Sequence, residues 1–362
     1  MISFFLFIFS LILFSLFSYG FIDPNLIYFR NIFTNFAFQQ RELTTFIYGA
    51  LVLSLFISFY FIFKKPKFDF KNIRNLIILT TIILLFSYPA TLSYDIFNYI
   101  TTAKVTFHYQ ENPYIVFPIE FVNDPYILFT RAANKTALYG PFWILLSAVP
   151  HFAGLSNFVL TLFSFKAFIA LFYIGTVYLL QKIDRNAVLF FALNPLVIIE
   201  TLVSAHNDIV MIFFALLAFY FIKTKKLFSI FALIGSILIK VGTIFLVPVY
   251  LLTLLNKVKG EKVYIYATIS MFFVFLLSPL REELYPWYAI WFIAFTAFLY
   301  KNKFLQNLVL VFSFGLMLRY IPYMASGNYF GPTPIIRNIL MLSPVLVFLI
   351  YSWFRSLKRK NA

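Results

Sequence analysis

An aspartate stands where a long apolar segment of the chain ends. Asp95 directly follows about twenty mostly apolar residues, a length that crosses a bilayer. An ionisable side chain at a membrane boundary is costly unless water reaches it or the protein uses it, which makes Asp95 a candidate functional residue. Asp is also a favoured helix N-cap, so capping is the alternative explanation for Asp95.

The residues that follow Asp95 have helical spacing. Asp95, Asn98 and Thr102 share one polar face of the predicted helix. The opposite face is apolar and contains Ile96, Ile100, Ala103 and Phe107. This pattern predicts a helix that begins near Asp95 and lies flat on the bilayer surface.

A second polar group lies at the end of another apolar segment. Glu200, Ser204 and Asn207 are spaced i, i+4 and i+7, which predicts one helix face that leads to His206 and Asp208. Side chains of these types bind either a metal ion or sugar hydroxyls. The segment has one histidine and no partner at i+3 or i+4, so we predict hydroxyl binding without a metal. A set of helix caps and loop polar groups is the alternative.

Aromatic and basic side chains lie in the last third of the chain. Trp287 and Tyr288 form either an interfacial aromatic anchor or a surface on which a sugar stacks, and the adjacent Glu282 and Glu283 favour sugar binding.

Three arginines stand near the outer ends of predicted spans. The planar guanidinium group suits a phosphate, so we predict that Arg337, with Arg281 and Arg319 as competitors, binds a lipid phosphate. The alternatives for Arg337 are an ion pair with Glu282 or Glu283 and snorkelling to the interface.

The composition is that of a membrane protein. Apolar residues make up 62% of the 362 residues and charged residues 12%. Recurrent apolar segments predict one all-α polytopic transmembrane domain over residues 1–362, with about 10–13 membrane helices that include short or broken ones. The absence of cysteine excludes disulfides and thiol catalysis, and the sequence lacks a nucleotide-binding glycine loop. No cofactor is expected.

The positive charges report topology. The formal net charge is +16, and most basic residues fall in short clusters at the ends of apolar segments, as in cytoplasmic loops. We therefore expect a multi-pass protein of the cell membrane with both termini in the cytoplasm and no nucleic-acid partner. Residues 95–139 become a large outer loop, and the His206 and Glu282 segments emerge on the same extracytoplasmic face.

Several spans are expected to be irregular. Asn194-Pro195 should kink or break the span near 187–204, because proline lacks a backbone donor and clashes with the preceding turn. Residues 227–256 are expected to form two shorter helices, and the short apolar segment 141–150 to enter the membrane and return. Further spans are predicted near 209–222, 288–300, 304–322 and 334–354.

Six short motifs in order resemble those of a known family. They are Tyr94-Asp95-Ile96-Phe97-Asn98-Tyr99, Glu111-Asn112-Pro113-Tyr114, Tyr139-Gly140-Pro141, Asn194-Pro195, His206-Asn207-Asp208 and Pro286-Trp287-Tyr288. Together they resemble the GT-C superfamily of membrane glycosyltransferases and, more narrowly, the prokaryotic polyprenol-phosphate-mannose-dependent mannosyltransferases. The resemblance implies that Asp95 acts in catalysis. Two departures are a single acid where the superfamily often has a pair, and Glu111 where relatives often have glycine.

The expected function is a glycosyl transfer. A hexose, with mannose favoured, moves from a polyprenyl-phosphate donor to an extracytoplasmic glycan or lipid acceptor, with Asp95 as the base and inversion at the anomeric carbon. Asn98, Glu111, Tyr139, Glu200, His206, Asn207 and Asp208 are the candidate substrate-binding residues, with Glu282, Trp287 and Tyr288. A transporter or flippase of lipid-linked sugars is the alternative, but it predicts repeated halves and mid-membrane polar residues, and no internal repeat is visible.

Overall fold

The computed structural model describes residues 2–23, 25–26, 36–64, 70–280 and 283–360, and these ranges contain helices and turns without a strand. The helices are α1 (Ile2–Ser18), α2 (Phe36–Gln39), α3 (Arg41–Phe63), α4 (Phe70–Leu85), α5 (Asp95–Phe107), α6 (Pro141–Leu146), α7 (Ala148–Ala153), α8 (Phe158–Ile183), α9 (Val188–Ala192), α10 (Pro195–Ile198), α11 (Asp208–Phe221), α12 (Lys226–Ile239), α13 (Val247–Leu254), α14 (Glu261–Leu277), α15 (Ala289–Thr296), α16 (Lys303–Leu318), α17 (Ile321–Ser326) and α18 (Thr333–Lys360).

Short helices of other types connect these elements. A π-helix covers Ile199–Val203, and 3₁₀ helices cover Tyr19–Phe21, Pro89–Thr91, Pro118–Glu120, Pro125–Phe129, Arg185–Ala187, Val241–Leu246, Ser278–Leu280 and Pro286–Tyr288.

The prediction of an all-α polytopic membrane protein is confirmed. Six helices in the described ranges are long and apolar enough to cross a membrane, or seven if the bent pair Arg185–Ala192 and Pro195–Val203 is one span. The two halves of that pair meet at 67°, which confirms the predicted break at Asn194-Pro195. Asn194 stabilises the restart, because its Oδ1 accepts a hydrogen bond from the Leu196 N–H at 3.0 Å.

Shorter apolar helices complete the arrangement. They are Pro141–Ala153, Asp208–Phe221, Lys226–Ile239 and Val241–Leu254, so residues 227–256 form two short helices as predicted.

The prediction of a membrane span near 288–300 is wrong. The structure has a 3₁₀ turn followed by the eight-residue helix α15, in which every residue is buried. A helix of eight residues covers about 12 Å, well short of the ~30 Å hydrocarbon core. Its all-round hydrophobicity therefore reflects burial inside the protein, and the sequence pattern alone does not separate this case from a lipid-facing span.

The helix predicted to begin near Asp95 is present as α5, but its surroundings differ from the prediction. Both of its faces are buried, including Asn98 and Thr102 on the polar face. The segment after the helix folds over that face, where the Ala132 N–H donates to Asn98 Oδ1 at 3.2 Å and Lys104 Nζ lies 2.7 Å from Asp124 Oδ2. The polar face thus packs on protein, whereas the sequence predicted an exposed surface helix.

A buried lysine fixes the turn that precedes α5. Lys166, on α8, is 2% exposed and its Nζ donates to the Leu84 carbonyl at 3.0 Å, to the Ser87 hydroxyl at 2.8 Å and to the Ser87 carbonyl. The Leu84 carbonyl belongs to the last turn of α4 and Ser87 follows the helix, a region where backbone acceptors lack partners within the helix. Lys166 therefore holds the connection that delivers Asp95 to its site.

Candidate active site

Asp95 is the first residue of α5, and its side chain does not cap the helix. Tyr94 occupies the N-cap position without a side-chain cap, and the Asp95 N–H donates to Ser93 Oγ at 3.2 Å. The Asp95 carboxylate instead lies beside His206, with 3.4 Å between Oδ2 and the histidine Nδ1. The capping explanation for Asp95 is therefore not what the structure shows.

The turn that carries His206 is more compact than the sequence suggests. Ile199–Val203 form a π-helix, and Ala205 follows with a positive φ of 58°. The chain therefore leaves the helix before Asn207, and the predicted single face of Glu200, Ser204 and Asn207 is wrong. The irregular turn brings the His206 N–H back to the Glu200 carbonyl at 3.0 Å, and π-turns of this kind are frequent at functional sites.

His206 bridges two carboxylates. Its Nδ1 faces Asp95, and its Nε2 lies 3.4 Å from Glu200 Oε2. The other oxygen of Glu200 accepts a hydrogen bond from the Tyr320 hydroxyl at 2.8 Å. The side chains of His206 and Glu200 are fully buried, whereas 28% of the Asp95 side chain is exposed. Asp95 is thus the accessible end of a buried polar chain, which we call the Asp95–His206–Glu200–Tyr320 chain.

The charges of this chain are set by its contacts. Burial raises the pKa of Asp95, but the contact with His206 outweighs it and, with smaller contributions from Lys240 and Asn98, the pKa lies below its usual value. Burial lowers the pKa of His206, but Asp95 and Glu200 together raise it from 6.5 to about 9. These contacts favour a carboxylate at Asp95 and an imidazolium at His206 at neutral pH.

The predicted aromatic stacking surface is already occupied. The Trp287 ring stacks on His206 with a centroid separation of 4.0 Å and on Tyr285 at 4.3 Å, nearly parallel to both. Trp287 is also buried, with 8% of the residue exposed, so little of the indole is left for a sugar. Sugar stacking on Trp287 is therefore not supported, and the ring instead holds the imidazole in place. Tyr288 packs on Trp291, with 4.4 Å between centroids.

A second ion pair lies at the start of α11. Asp208 is fully buried, and its Oδ2 lies 2.7 Å from Lys240 Nζ while its Oδ1 accepts from Trp291 Nε1 at 2.6 Å. Lys240 and Trp291 were not among the predicted site residues. The signal for Lys240 was present, because a lone lysine interrupts the apolar segment 227–256, but the sequence does not show which acid it meets.

Asn207 and Tyr139 meet through a tyrosine that the sequence analysis did not select. The Tyr99 hydroxyl donates to Asn207 Oδ1 at 3.3 Å and accepts from the Asn207 N–H at 3.2 Å. The Tyr99 ring contacts the edge of Tyr139 with 4.6 Å between centroids. The structure therefore links α5, the His206 turn and the Tyr139-Gly140-Pro141 motif.

Two of the three candidate phosphate-binding arginines, Arg319 and Arg337, share one carboxylate. Arg337 Nη1 lies 2.7 Å from Glu283 Oε2, and Arg319 Nη2 contacts the same oxygen. This is the ion-pair arrangement that the sequence analysis left as an alternative for Arg337. Two guanidinium groups with one carboxylate carry an excess positive charge, so phosphate binding stays a prediction. Arg281 and Glu282 lie outside the described residues.

Glu111 is not brought to the polar chain. It is exposed beyond the far end of α5, so the thirteen-residue helix, about 20 Å long, separates it from Asp95. Among the described residues, no group of three or more His, Cys, Asp or Glu side chains could hold a metal ion.

Comparison with known protein families identifies the family of this chain. Residues 10–256 match the family model described as the alpha-(1->6)-mannopyranosyltransferase N-terminal domain, MptA_B family. The chain belongs to this family. It is therefore a membrane glycosyltransferase of the GT-C type that transfers mannose. The matched segment of this mannosyltransferase contains Asp95, Glu200, His206 and Lys240. No curated protein and no solved structure matches the chain.

The Asp208–Lys240 pair yields a stability prediction. Lys240→Met should destabilise the mannosyltransferase by about 3–5 kcal/mol, because it leaves the Asp208 charge buried without a cation. Thermal and denaturant unfolding of the purified protein in detergent measure this. In the double variant Lys240→Met/Asp208→Asn the loss should be smaller, because a neutral amide still accepts from Trp291. Additive losses from the two substitutions would show that the pair is not coupled.

Proposed function

We propose that this mannosyltransferase takes mannose from a polyprenyl-phosphate donor and transfers it to a glycan or lipid acceptor, with Asp95 as the catalytic base. The observation that carries the proposal is the contrast in exposure along the Asp95–His206–Glu200–Tyr320 chain. Its inner members are buried and paired, and Asp95 alone offers a carboxylate oxygen to a substrate.

The proposed reaction is a single displacement. The acceptor hydroxyl attacks the anomeric carbon of mannose and gives its proton to Asp95 as the new C–O bond forms. The bond from that carbon to the phosphate oxygen breaks, its electron pair stays on the oxygen, and polyprenyl phosphate leaves. Glu200 and Asp208 are buried and already paired, so neither supplies a nucleophile for a second displacement. One displacement inverts the configuration of the anomeric carbon.

An apolar groove supports a lipid-linked donor. It lies between α14, α15, α16 and α18 and has a volume of ≈ 560 Å³. Its apolar lining includes Ile265, Ile269, Phe272, Leu276, Phe292, Leu305, Val309, Phe312, Leu342 and Val345. On α14 the lining runs from Glu261 to Leu276, about 22 Å along the helix axis. We assign this groove to the isoprenoid tail of the donor.

Positive charge lies toward one end of the groove. Arg319 is seven residues beyond the lining residue Phe312, and Arg337 precedes the lining residue Leu342 by five, so each lies about 7–11 Å further along its helix. A phosphate group attached to a tail in the groove reaches this depth and matches the excess charge of the two arginines. Arg319 and Arg337 are therefore our candidates for binding the donor phosphate, in exchange with Glu283.

The orientation of the proposed site follows from charge. The basic residues Lys71 and Arg74 lie at the start of α4, and Asp95 follows the opposite end of that helix. Basic clusters are retained on the cytoplasmic side. We therefore place Asp95 and the acceptor on the extracytoplasmic face of the cell membrane and both termini in the cytoplasm.

The base assignment yields a kinetic prediction. Asp95→Asn should lower turnover by about two to four orders of magnitude, the range expected for a general base, while donor binding and thermal stability stay near those of the wild type. Mannosyl transfer from a radiolabelled polyprenyl-phosphate donor measures the effect.

Glu120→Gln serves as the matched control for Asp95→Asn. Glu120 is an exposed acid in the predicted outer loop 95–139, and a glutamine at this position can still accept a hydrogen bond from the Phe117 N–H. Its activity should be close to that of the wild type. Near-normal turnover in Asp95→Asn would refute the catalytic role, because the variant keeps the size of the side chain but removes the carboxylate that accepts the proton.

The groove assignment yields a prediction about the length of the donor tail. Ile269→Trp fills the groove and should raise the KM of a long-chain polyprenyl-phosphate donor about tenfold, which corresponds to about 1.4 kcal/mol of lost binding. A donor with a tail of two isoprene units should be affected much less, because it occupies less of the groove. Steady-state kinetics with both donors measure the difference.

Ile350→Trp is the control for the groove variant. Ile350 lies on α18, is 56% exposed and does not line the groove, so the same substitution there should leave both KM values unchanged. Equal effects of Ile269→Trp on the two donors would show that the tail binds elsewhere.

A further inference from the structure

We infer that Glu200 is a positioning residue that keeps His206 protonated and thereby holds Asp95 in place for the acceptor hydroxyl. The sequence analysis assigned Glu200 to substrate binding. The structure leaves no exposed surface on Glu200, and both carboxylate oxygens face other side chains of the protein. The role of Asp95 in this inference rests on the proposed function, whereas the effect of Glu200 on His206 does not.

The first step of the argument is the hydrogen-bonding capacity of imidazole. Neutral histidine has one N–H donor and one nitrogen lone pair, whereas imidazolium has two N–H donors. Each ring nitrogen of His206 lies 3.4 Å from a carboxylate oxygen. In the neutral form one carboxylate faces a lone pair, which is repulsive. The imidazolium form meets both carboxylates with a donor, so this geometry selects the charged ring.

The second step concerns which charges surround the ring. Asp95 approaches from α5 and Glu200 from the π-helix. The uncharged indole of Trp287 covers one face of the ring. The nearby ionic groups Asp208 and Lys240 are paired with each other. Of the two carboxylates that face the imidazole, Asp95 takes up the proton of the acceptor hydroxyl in the proposed transfer. Glu200 is buried and takes no part in that proton transfer, so its contact with the imidazole can persist.

The third step is the rigidity of Glu200. Tyr320 donates to its Oε1 at 2.8 Å, and the Tyr48 hydroxyl, whose ring packs on Tyr320, donates to the Met317 carbonyl at 2.8 Å. The Trp287 ring stacks on the His206 ring, and the His206 N–H donates to the Glu200 carbonyl. Glu200 therefore fixes one end of the imidazolium, and the other end orients Asp95 Oδ2 and leaves Oδ1 for the substrate.

The sign of the pH dependence follows from this arrangement. The pKa of His206 is raised to about 9, so the ring is charged below that pH and neutral above it. Activity should therefore have an alkaline limb near pH 9 where His206 loses its proton. Removing the charge of Glu200 should move that limb to lower pH, because one of the two carboxylates that stabilise the imidazolium is gone.

The experiment is the titration of His206 in Glu200→Gln. The chain has three histidines, so ¹⁵N-labelled histidine gives few imidazole signals, and His108→Gln and His151→Gln assign the other two. We expect wild-type His206 to stay protonated through pH 8, and the titration midpoint to fall by at least about one pH unit in Glu200→Gln. The alkaline limb of kcat/KM should move by a similar amount, which a purely structural role for Glu200 would not produce.

Tyr320→Phe is the matched control, because it removes the hydrogen bond to Glu200 and keeps the carboxylate. Its His206 titration should shift less than that of Glu200→Gln. An unchanged midpoint in Glu200→Gln, or a neutral His206 in the wild type at pH 7, would overturn the inference. If Glu200→Gln does not fold, the wild-type measurement can still overturn the inference, because a neutral His206 at pH 7 would leave Glu200 with no charged ring to stabilise. The titration needs no substrate, so its outcome is independent of whether Asp95 proves to be the base.

Discussion

The structure depends on how it neutralises charge inside an apolar protein. An isolated charge away from water costs several kcal/mol, so a buried ionisable group needs a partner of opposite sign or, as for Lys166, several hydrogen-bond acceptors. His206 lies between Asp95 and Glu200, and Lys240 pairs with Asp208. Removing one member of either group would leave the other member uncompensated. The ionic contacts thus join the start of α5, the π-helix, the turn after it, the start of α11 and the end of α12.

Breaks in the helices make these contacts reachable. A continuous helix would carry its polar side chains past one another, whereas the π-helix and the positive φ of Ala205 fold His206 back over Glu200. The extended backbone of Lys240 at the end of α12 similarly directs its side chain to the start of α11. The bend at Asn194-Pro195 orients the helix that leads to Glu200. The irregular backbone is what brings the residues of the proposed site together.

The features that depend on the local sequence pattern could be predicted from the sequence. The start of α5 at Asp95 and the break at Asn194-Pro195 follow from helical spacing and from the chemistry of proline. The burial of α15 was missed because an apolar segment in the protein interior has the same composition as one in lipid.

Contacts between residues that are far apart in the sequence could not be predicted. The pairing of Lys240 with Asp208 joins residues 32 positions apart, and that of Tyr320 with Glu200 joins residues 120 apart. The surroundings of Glu200 could not be predicted because the π-helix, which is not evident in the residue pattern, changes which side chains share a face. Motif order identified the correct family, but the contacts within the site required the folded chain.

The stereochemistry of transfer tests the central claim most directly. The wild-type enzyme would be given a synthetic polyprenyl-phosphate donor carrying β-linked mannose, and the one-bond C1–H1 coupling of the isolated product would be read by NMR. A single displacement assisted by Asp95 predicts an α-linked product. A β-linked product would mean net retention, which requires a second nucleophile, and would contradict the assignment of Asp95 as the base of a one-step reaction.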